Sequence, residues 1–257
     1  MDFVYSKEVG PDLYETHGLA GGIPLRHAME NLDLKGSLDQ NFGSILEPVK
    51  IDSLKQELNS KMRPEKWLLA RMVSEMMALD AERAVTSIKA WAAFVQLASK
   101  TRREPFETLA EYVPARVIDA GELMWFGVLT FGMALTIPES EYDRCMQLAR
   151  PGYAALGLTN DLYSWEKEKQ DALRLKQEYV FNSIWVIMRE MQVTEEQAKA
   201  ICAEEIKKHV SEFTGIVETA KKDDGLSKDL RTYLEAVMYS CSGNLVWSIT
   251  CPRYHEF

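Results

Sequence analysis

Asn160, Ser164 and Glu168 stand four residues apart in the stretch Asn160-Asp161-Leu162-Tyr163-Ser164-Trp165-Glu166-Lys167-Glu168. On an α-helix they fall at about 0°, 40° and 80°, with Lys167 at about −20°. An amide oxygen, a hydroxyl, a carboxylate and an ammonium then share one narrow face. Three oxygens so placed can chelate a hard cation such as Mg²⁺, with water or phosphate oxygens completing the octahedron. The lysine can bind the same phosphate. The plainer alternative is a solvated polar face headed by an N-cap asparagine, and spacing alone does not separate the two. The flanks favour the first. Tyr153, Ala154, Ala155, Leu156, Leu158, Leu162 and Trp165 make the helix a core element, so its polar stripe must face a cavity or a partner.

Other residues carry weaker signals. Arg116 and Asp119 read by themselves as an ordinary i, i+3 surface pair. Trp125, Phe126, Phe131, Trp185, Tyr239 and Trp247 lie in apolar stretches. Aromatic stripes are more often plain core than ligand wall, although aromatic faces can also stabilise a passing cation. The four cysteines, Cys145, Cys202, Cys241 and Cys251, are widely spread with no CxxC pair. That pattern reads as reduced thiols in a cytoplasmic protein, not as a zinc site or disulfide framework.

The elements that must position these groups read as helices. Lys66 to Ser99 has apolar residues at three and four spacings, Leu69, Met72, Met76 and Leu79 among them. Phe106 to Thr136 forms one or two helices, with a kink suggested by Pro114, Gly121, Gly127 and Gly132. Pro138 to Glu141 starts another, which Pro151-Gly152 interrupts, and Tyr153 to Gln170 follows. Asn182 to Met191 is apolar and aromatic. Thr194 to Gln197 is a capping box opening a helix to Lys222, and Asp223-Asp224-Gly225 ends it before a last helix from Leu226 to Ile249. No stretch alternates in the manner of a strand. The expected fold class is all-α, a single domain over residues 1–257, with an irregular part at 1–60 and a helical core at 61–257.

Composition narrows the function classes. The 257 residues are 46% hydrophobic and 27% charged, with a net charge of −9. That balance is globular, and it argues against a nucleic acid as partner. The opening residues do not form a signal peptide. Leu123 to Ile137, the most apolar stretch, is short for a bilayer span and reads as a buried helix, so no stable membrane insertion is expected.

Several motifs in order then resemble one family. Asn160 to Glu168 looks like the second metal-binding motif of class I terpene synthases, N-D-x-x-S-x-x-K-E. Phe3 to Ser6, Tyr14 to Leu19, Tyr112 to Asp119, Gly121 to Gly127, Ser242 to Ser248 and Cys251 to Tyr254 resemble the cyclase part of fungal chimeric enzymes of the fusicoccadiene-synthase type. The resemblance implies a class I terpenoid synthase helical bundle. It implies Asn160, Ser164 and Glu168 as ligands of Mg²⁺ and Lys167 as a diphosphate contact. Arg116 would be the diphosphate sensor, Asp119 its link to the kinked helix, and Ala120 the carbonyl facing the leaving group. Arg253 and Tyr254 would close over the diphosphate, with Trp125 and Trp247 in the pocket wall. The activity implied is lysis of a prenyl diphosphate substrate to a cyclic terpene and diphosphate, by metal-assisted ionisation in a water-excluding pocket.

The sequence departs from the family in two places. No aspartate-rich motif stands before Arg116, where Asp2, Asp12, Asp33, Asp39, Asp52 and Asp80 are all isolated. The family pattern breaks off near Arg26 and resumes near Lys61, so several helices of the N-terminal half are expected to be missing. Glu30-Asn31-Leu32-Asp33 is a weak acidic substitute. No prenyltransferase motifs follow Tyr254, so a preformed C15, C20 or C25 diphosphate is the expected substrate, with a lean towards C15. The rival expectations are an inactive relative that binds diphosphate, isoprenoid or a partner, and a helical interaction module without a ligand. A homodimer is open to either.

Overall fold

The computed structural model describes residues 64–101 and 105–255, and among these the regular elements are all helical. In chain order they are α1 (Pro64–Leu79), α2 (Ala81–Thr101), α3 (Leu109–Asp119), α4 (Glu122–Gly132), α5 (Tyr142–Leu175), α6 (Ser183–Met191), α7 (Glu195–Ala220) and α8 (Lys228–Thr250). Short 3-10 turns at Glu139–Glu141 and Pro252–Tyr254 precede α5 and follow α8. The segment 1–60 and Glu30-Asn31-Leu32-Asp33 lie outside the described residues.

Helix α5 is the axis of the bundle. Every residue from Gly152 to Thr159 is buried, which is the signature of a helix covered on all sides. One hydrophobic core packs α2, α4, α7 and α8 against its first half, through Phe126, Met146, Tyr153, Phe213, Tyr233 and Val237. A second core joins α3, α6 and α7 to its second half, through Tyr112, Leu158, Trp165, Ile184, Ile187 and Cys202. The polar stripe expected from the sequence is carried on this second half.

Two local readings change, and one that stood open is decided. Pro151-Gly152 does not interrupt the helix, because α5 runs unbroken through both residues. A Cβ on Gly152 would stand 2.7 Å from the Phe213 ring and 2.9 Å from Val237, so α5 is wedged between α7 and α8. That packing outweighs the one hydrogen bond a helical proline forfeits. The stretch 66–99 is two helices, not one. Asp80 accepts from the Arg83 backbone N–H at 3.1 Å and pairs with the Arg83 guanidinium, capping α2. Residues 106–136 form two helices, α3 and α4, parted at Gly121, whose φ of 92° is left-handed and favours glycine. The capping box at Thr194 and Gln197 forms as read.

Candidate active site

The second half of α5, the α3–α4 junction, the 176–182 connection, α6 and the end of α8 surround a cavity of about 1030 Å³. Arg116, Asp119, Ala120, Trp125, Asn160, Glu168, Arg253 and Tyr254 all line it. Two of these come from α3, two from α5 and two from the turn after α8. Chain segments far apart in sequence thus meet around one space.

Arg116 is the hub. Although only 7% exposed, its guanidinium donates from Nε to Asp161 Oδ1 at 2.8 Å, from Nη1 to Asp119 Oδ2 at 2.6 Å and from Nη2 to Asn160 Oδ1 at 2.7 Å. The i, i+3 pair with Asp119 is real, but it is buried rather than on the surface. Asn160 in turn donates from Nδ2 to the Tyr254 hydroxyl at 2.6 Å. A continuous chain therefore runs from Asp119 through Arg116 and Asn160 to Tyr254. Three of the five guanidinium N–H donors are engaged in these bonds, which leaves two for a ligand.

Close approach makes this possible. A Cβ on Gly157 would lie 3.1 Å from Arg116 Cγ and 3.5 Å from Ala120 Cβ, so the missing side chain gives α3 its seat on α5.

The electrostatics follow from burial. Burial alone would lower the Arg116 pKa, but Asp161 first, then Tyr112, Asp119 and Glu168, raise it well above its ordinary value. The guanidinium is a permanent cation here. Burial pushes the Asp161 carboxyl up, and Arg116, the Tyr112 hydroxyl and the Ser183 backbone N–H pull it back. With three donors within 3.0 Å it is an anion paired to a cation. The Glu168 carboxyl is raised by burial and then by the charge of Asp161, with the Asn182 amide and Arg116 opposing.

The remaining expected residues are placed as follows. Ser164 is buried, and its Oγ meets no partner in hydrogen-bonding geometry, although it lies close enough to Glu168 to hold that carboxyl down. Lys167 donates to Asp171 at 2.7 Å, and it is Asp171 that lines the cavity. Trp247 is half exposed and meets Tyr254 edge-on at 5.4 Å, without lining the cavity itself. No group of three or more His, Cys, Asp or Glu side chains poised for a metal occurs among the described residues.

Sequence reasoning missed Tyr112, Asp161 and Asn182. The Tyr112 hydroxyl donates to Asp161 Oδ2 at 2.7 Å, and Asn182 donates to the Asp161 carbonyl and to Glu168 Oε2 at 2.9 and 3.0 Å. For Asp161 a signal existed: it falls on the same side of the helix as Leu158, Leu162 and Trp165, where an acid demands a buried cation.

A solved structure, aristolochene synthase from Penicillium roqueforti, shares the architecture, with a TM-score of 0.65 over 88% of this chain and 74% of that one at 20% identity. The fold is thus the all-α fold of a class I terpene synthase. Residues 40–212 match the family described as "Terpene synthase family 2, C-terminal metal binding", and the chain belongs to that family. Among curated relatives, the bifunctional type I diterpene synthase tndC of Aspergillus flavipes is 36% identical over 321 aligned positions, covering 100% of this chain and 42% of the relative. Fusicoccadiene synthase of Phomopsis amygdali is 42% identical over 192, covering 74% and 27%. A bifunctional sesterterpene synthase of Aspergillus aculeatus is 40% identical over 225, covering 88% and 30%. The chain spans less than half the length of these relatives. Among the described residues no helix is long and apolar enough to cross a membrane.

Proposed function

We propose that this chain is a Mg²⁺-dependent terpene cyclase that ionises a linear prenyl diphosphate and closes the resulting cation into rings. The observation that carries the reading is the buried chain Asp119–Arg116–Asn160–Tyr254 on the wall of the cavity. A diphosphate is a delocalised anion, and a guanidinium fixed on three sides with two donors to spare is a preorganised partner for it.

The donor set fits a hard divalent cation. Ser164 Oγ is a buried hydroxyl with no hydrogen-bond partner, one turn from both Asn160 and Glu168. Glu168 is a carboxylate raised by burial and by a neighbouring anion, a cost that a cation would reverse. Asn160, Ser164 and Glu168 would hold the ion, which would supply Lewis-acid stabilisation of the departing diphosphate. Arg116 would bind the same leaving group, with Asp119 and Asp161 holding its orientation. Arg253 and Tyr254 would cover it from the C-terminal end, and Lys167 would reach it on release from Asp171. Trp125, with Tyr179, Phe181 and Trp185 across the cavity, gives aromatic faces to exclude water and stabilise positive charge. Trp247 would support Tyr254 edge-on. The alignment to tndC spans 321 positions against a chain of 257 residues. That difference supports an internal deletion, and the aspartate-rich segment would belong to the missing part.

The test is incubation of the purified chain with Mg²⁺ and C15, C20 and C25 prenyl diphosphates, read by gas chromatography–mass spectrometry. The expected result is a cyclic hydrocarbon or alcohol from one of them, abolished in Asn160→Ala and Glu168→Ala. No product, with metal-dependent pyrophosphate binding retained, would instead identify a binding-only relative.

A further inference from the structure

Asn182 sits at the start of α6, wholly buried, and its side chain spends all its hydrogen-bonding groups on two helices. Its Oδ1 accepts from the Ile184 backbone N–H at 2.9 Å, which caps α6. One amide proton goes to the Asp161 carbonyl at 2.9 Å and the other to Glu168 Oε2 at 3.0 Å. Asp161 and Glu168 are seven residues apart, so they lie on the same side of α5 two turns from each other. The neighbouring Ser183 backbone N–H adds a bond of 3.0 Å to Asp161 Oδ2. The start of α6 is therefore stitched to α5 at both the carboxylate that anchors Arg116 and the carboxylate at the end of the polar stripe.

The side chain does more than a cap requires. An N-cap needs only an oxygen that accepts from the first turn, and serine, threonine or aspartate would serve. Only an amide offers that oxygen together with two donors aimed the other way. Of the Glu168 oxygens, Oε2 is the one held, and among the described residues no hydrogen bond reaches Oε1.

We propose that Asn182 is a positioning residue for the metal centre: it fixes the Glu168 carboxylate by holding Oε2, so that Oε1 is presented to the cation, and it ties that orientation to the start of α6. This rests on the reading of Asn160, Ser164 and Glu168 as metal ligands. Partners of this kind orient ligands that would otherwise sample several rotamers, and their loss typically costs about 10–100-fold in metal affinity.

The test uses the whole chain with Mn²⁺ and inorganic pyrophosphate as probes, following free Mn²⁺ by electron paramagnetic resonance. Asn182→Ser and Asn182→Thr both keep the cap oxygen and lose the donors, and either one that folds suffices. The expected result is a Kd for Mn²⁺ raised about 10–100-fold, with an altered bound-Mn²⁺ spectrum. Thr194→Ala removes the cap of α7 and serves as the control: its metal-free melting temperature should fall while its Kd for Mn²⁺ stays unchanged. Unchanged Mn²⁺ affinity in both Asn182 variants, with a lowered melting temperature, would reduce Asn182 to a cap and overturn the proposal. Asn160→Ala and Glu168→Ala separate the two levels. If they abolish Mn²⁺ binding and the Asn182 variants leave it intact, the metal reading stands and this inference fails. If the wild type binds no Mn²⁺ with pyrophosphate, both fail.

Discussion

Glu122 opens α4 with its side chain in the core, 2% exposed, and its Oε1 has no hydrogen-bond partner. Burial raises its pKa from 4.5 to about 7, with Arg150 opposing weakly from a distance. The unpartnered Tyr142 hydroxyl and the Tyr153–Tyr233 pair are its polar neighbours, and none of them is a cation. An acid raised on folding is neutral in both states below the unfolded value. Stability associated with it is therefore fully present below about pH 4.5 and is lost as pH rises towards 7. The two values differ by about 2.5 units, which corresponds to about 3 kcal/mol. Glu122→Gln keeps the shape and removes the titration. The measurement is the melting temperature of both proteins from pH 5 to pH 8. About 2.5 kcal/mol of this falls between pH 5 and pH 8, so at about 2–4 °C per kcal/mol for a chain of this size the variant should gain roughly 5–10 °C on the wild type across that range. Other titrating groups are common to both proteins and cancel in the difference. Parallel melting curves at every pH would show that the carboxyl is not held in a low dielectric, and the reasoning would fail.

Arg116→Ala leaves Asp161 as an unpaired buried anion, so it should destabilise the fold by about 3–5 kcal/mol, read as a lowered melting temperature. Tyr254→Phe, which removes only the acceptor for Asn160, should leave the melting temperature nearly unchanged. Gly157→Ala places a methyl 3.1 Å from Arg116 Cγ, so the guanidinium must shift by a few tenths of an ångström. Pyrophosphate affinity measured calorimetrically should fall about tenfold, more than stability does. Pyrophosphate binding should require millimolar Mg²⁺ and vanish in chelator, and equal binding with and without metal would contradict the site proposed here.

Much of the fold was legible because helix periodicity is local. The i, i+4, i+8 spacing of Asn160, Ser164 and Glu168 needs only a helix, and α5 supplies one. Apart from the break at Asp80, which a local cap with Arg83 makes, the misreadings came from contacts distant in sequence. Pro151-Gly152 looks like a break until Phe213 and Val237 close on it from two other helices. Arg116 and Asp119 look like a surface pair until Asp161, 45 residues on, is found beneath them. Asn182 reads only as the first residue of an apolar stretch, and its bonds to Asp161 and Glu168 appear only once α6 docks on α5. Asp161 alone could have been singled out, since an acid on the apolar side of a core helix must have a buried partner.

The charge balance of the cavity bears on what can bind there. Four carboxylates, Asp119, Glu168, Asp171 and Glu178, share its wall with three guanidiniums, those of Arg116, Arg189 and Arg253. Asp171 is already offset by Lys167 at 2.7 Å and Arg174 at 2.9 Å, and Arg116 is held by Asp119 and Asp161. The wall is thus close to neutral, unlike a phosphate site built from cations alone. A bound prenyl diphosphate would add several negative charges to that wall. In the proposed site Arg116, Arg189 and Arg253 would face that load beside the Glu168 carboxyl, whose own pKa burial raises. On the proposed reading, Asn160, Ser164 and Glu168 would hold a divalent ion that supplies the missing positive charge. Affinity for diphosphate would then follow affinity for metal, and pyrophosphate titrations at rising Mg²⁺ in wild type and Asn182→Ser would show the two falling together.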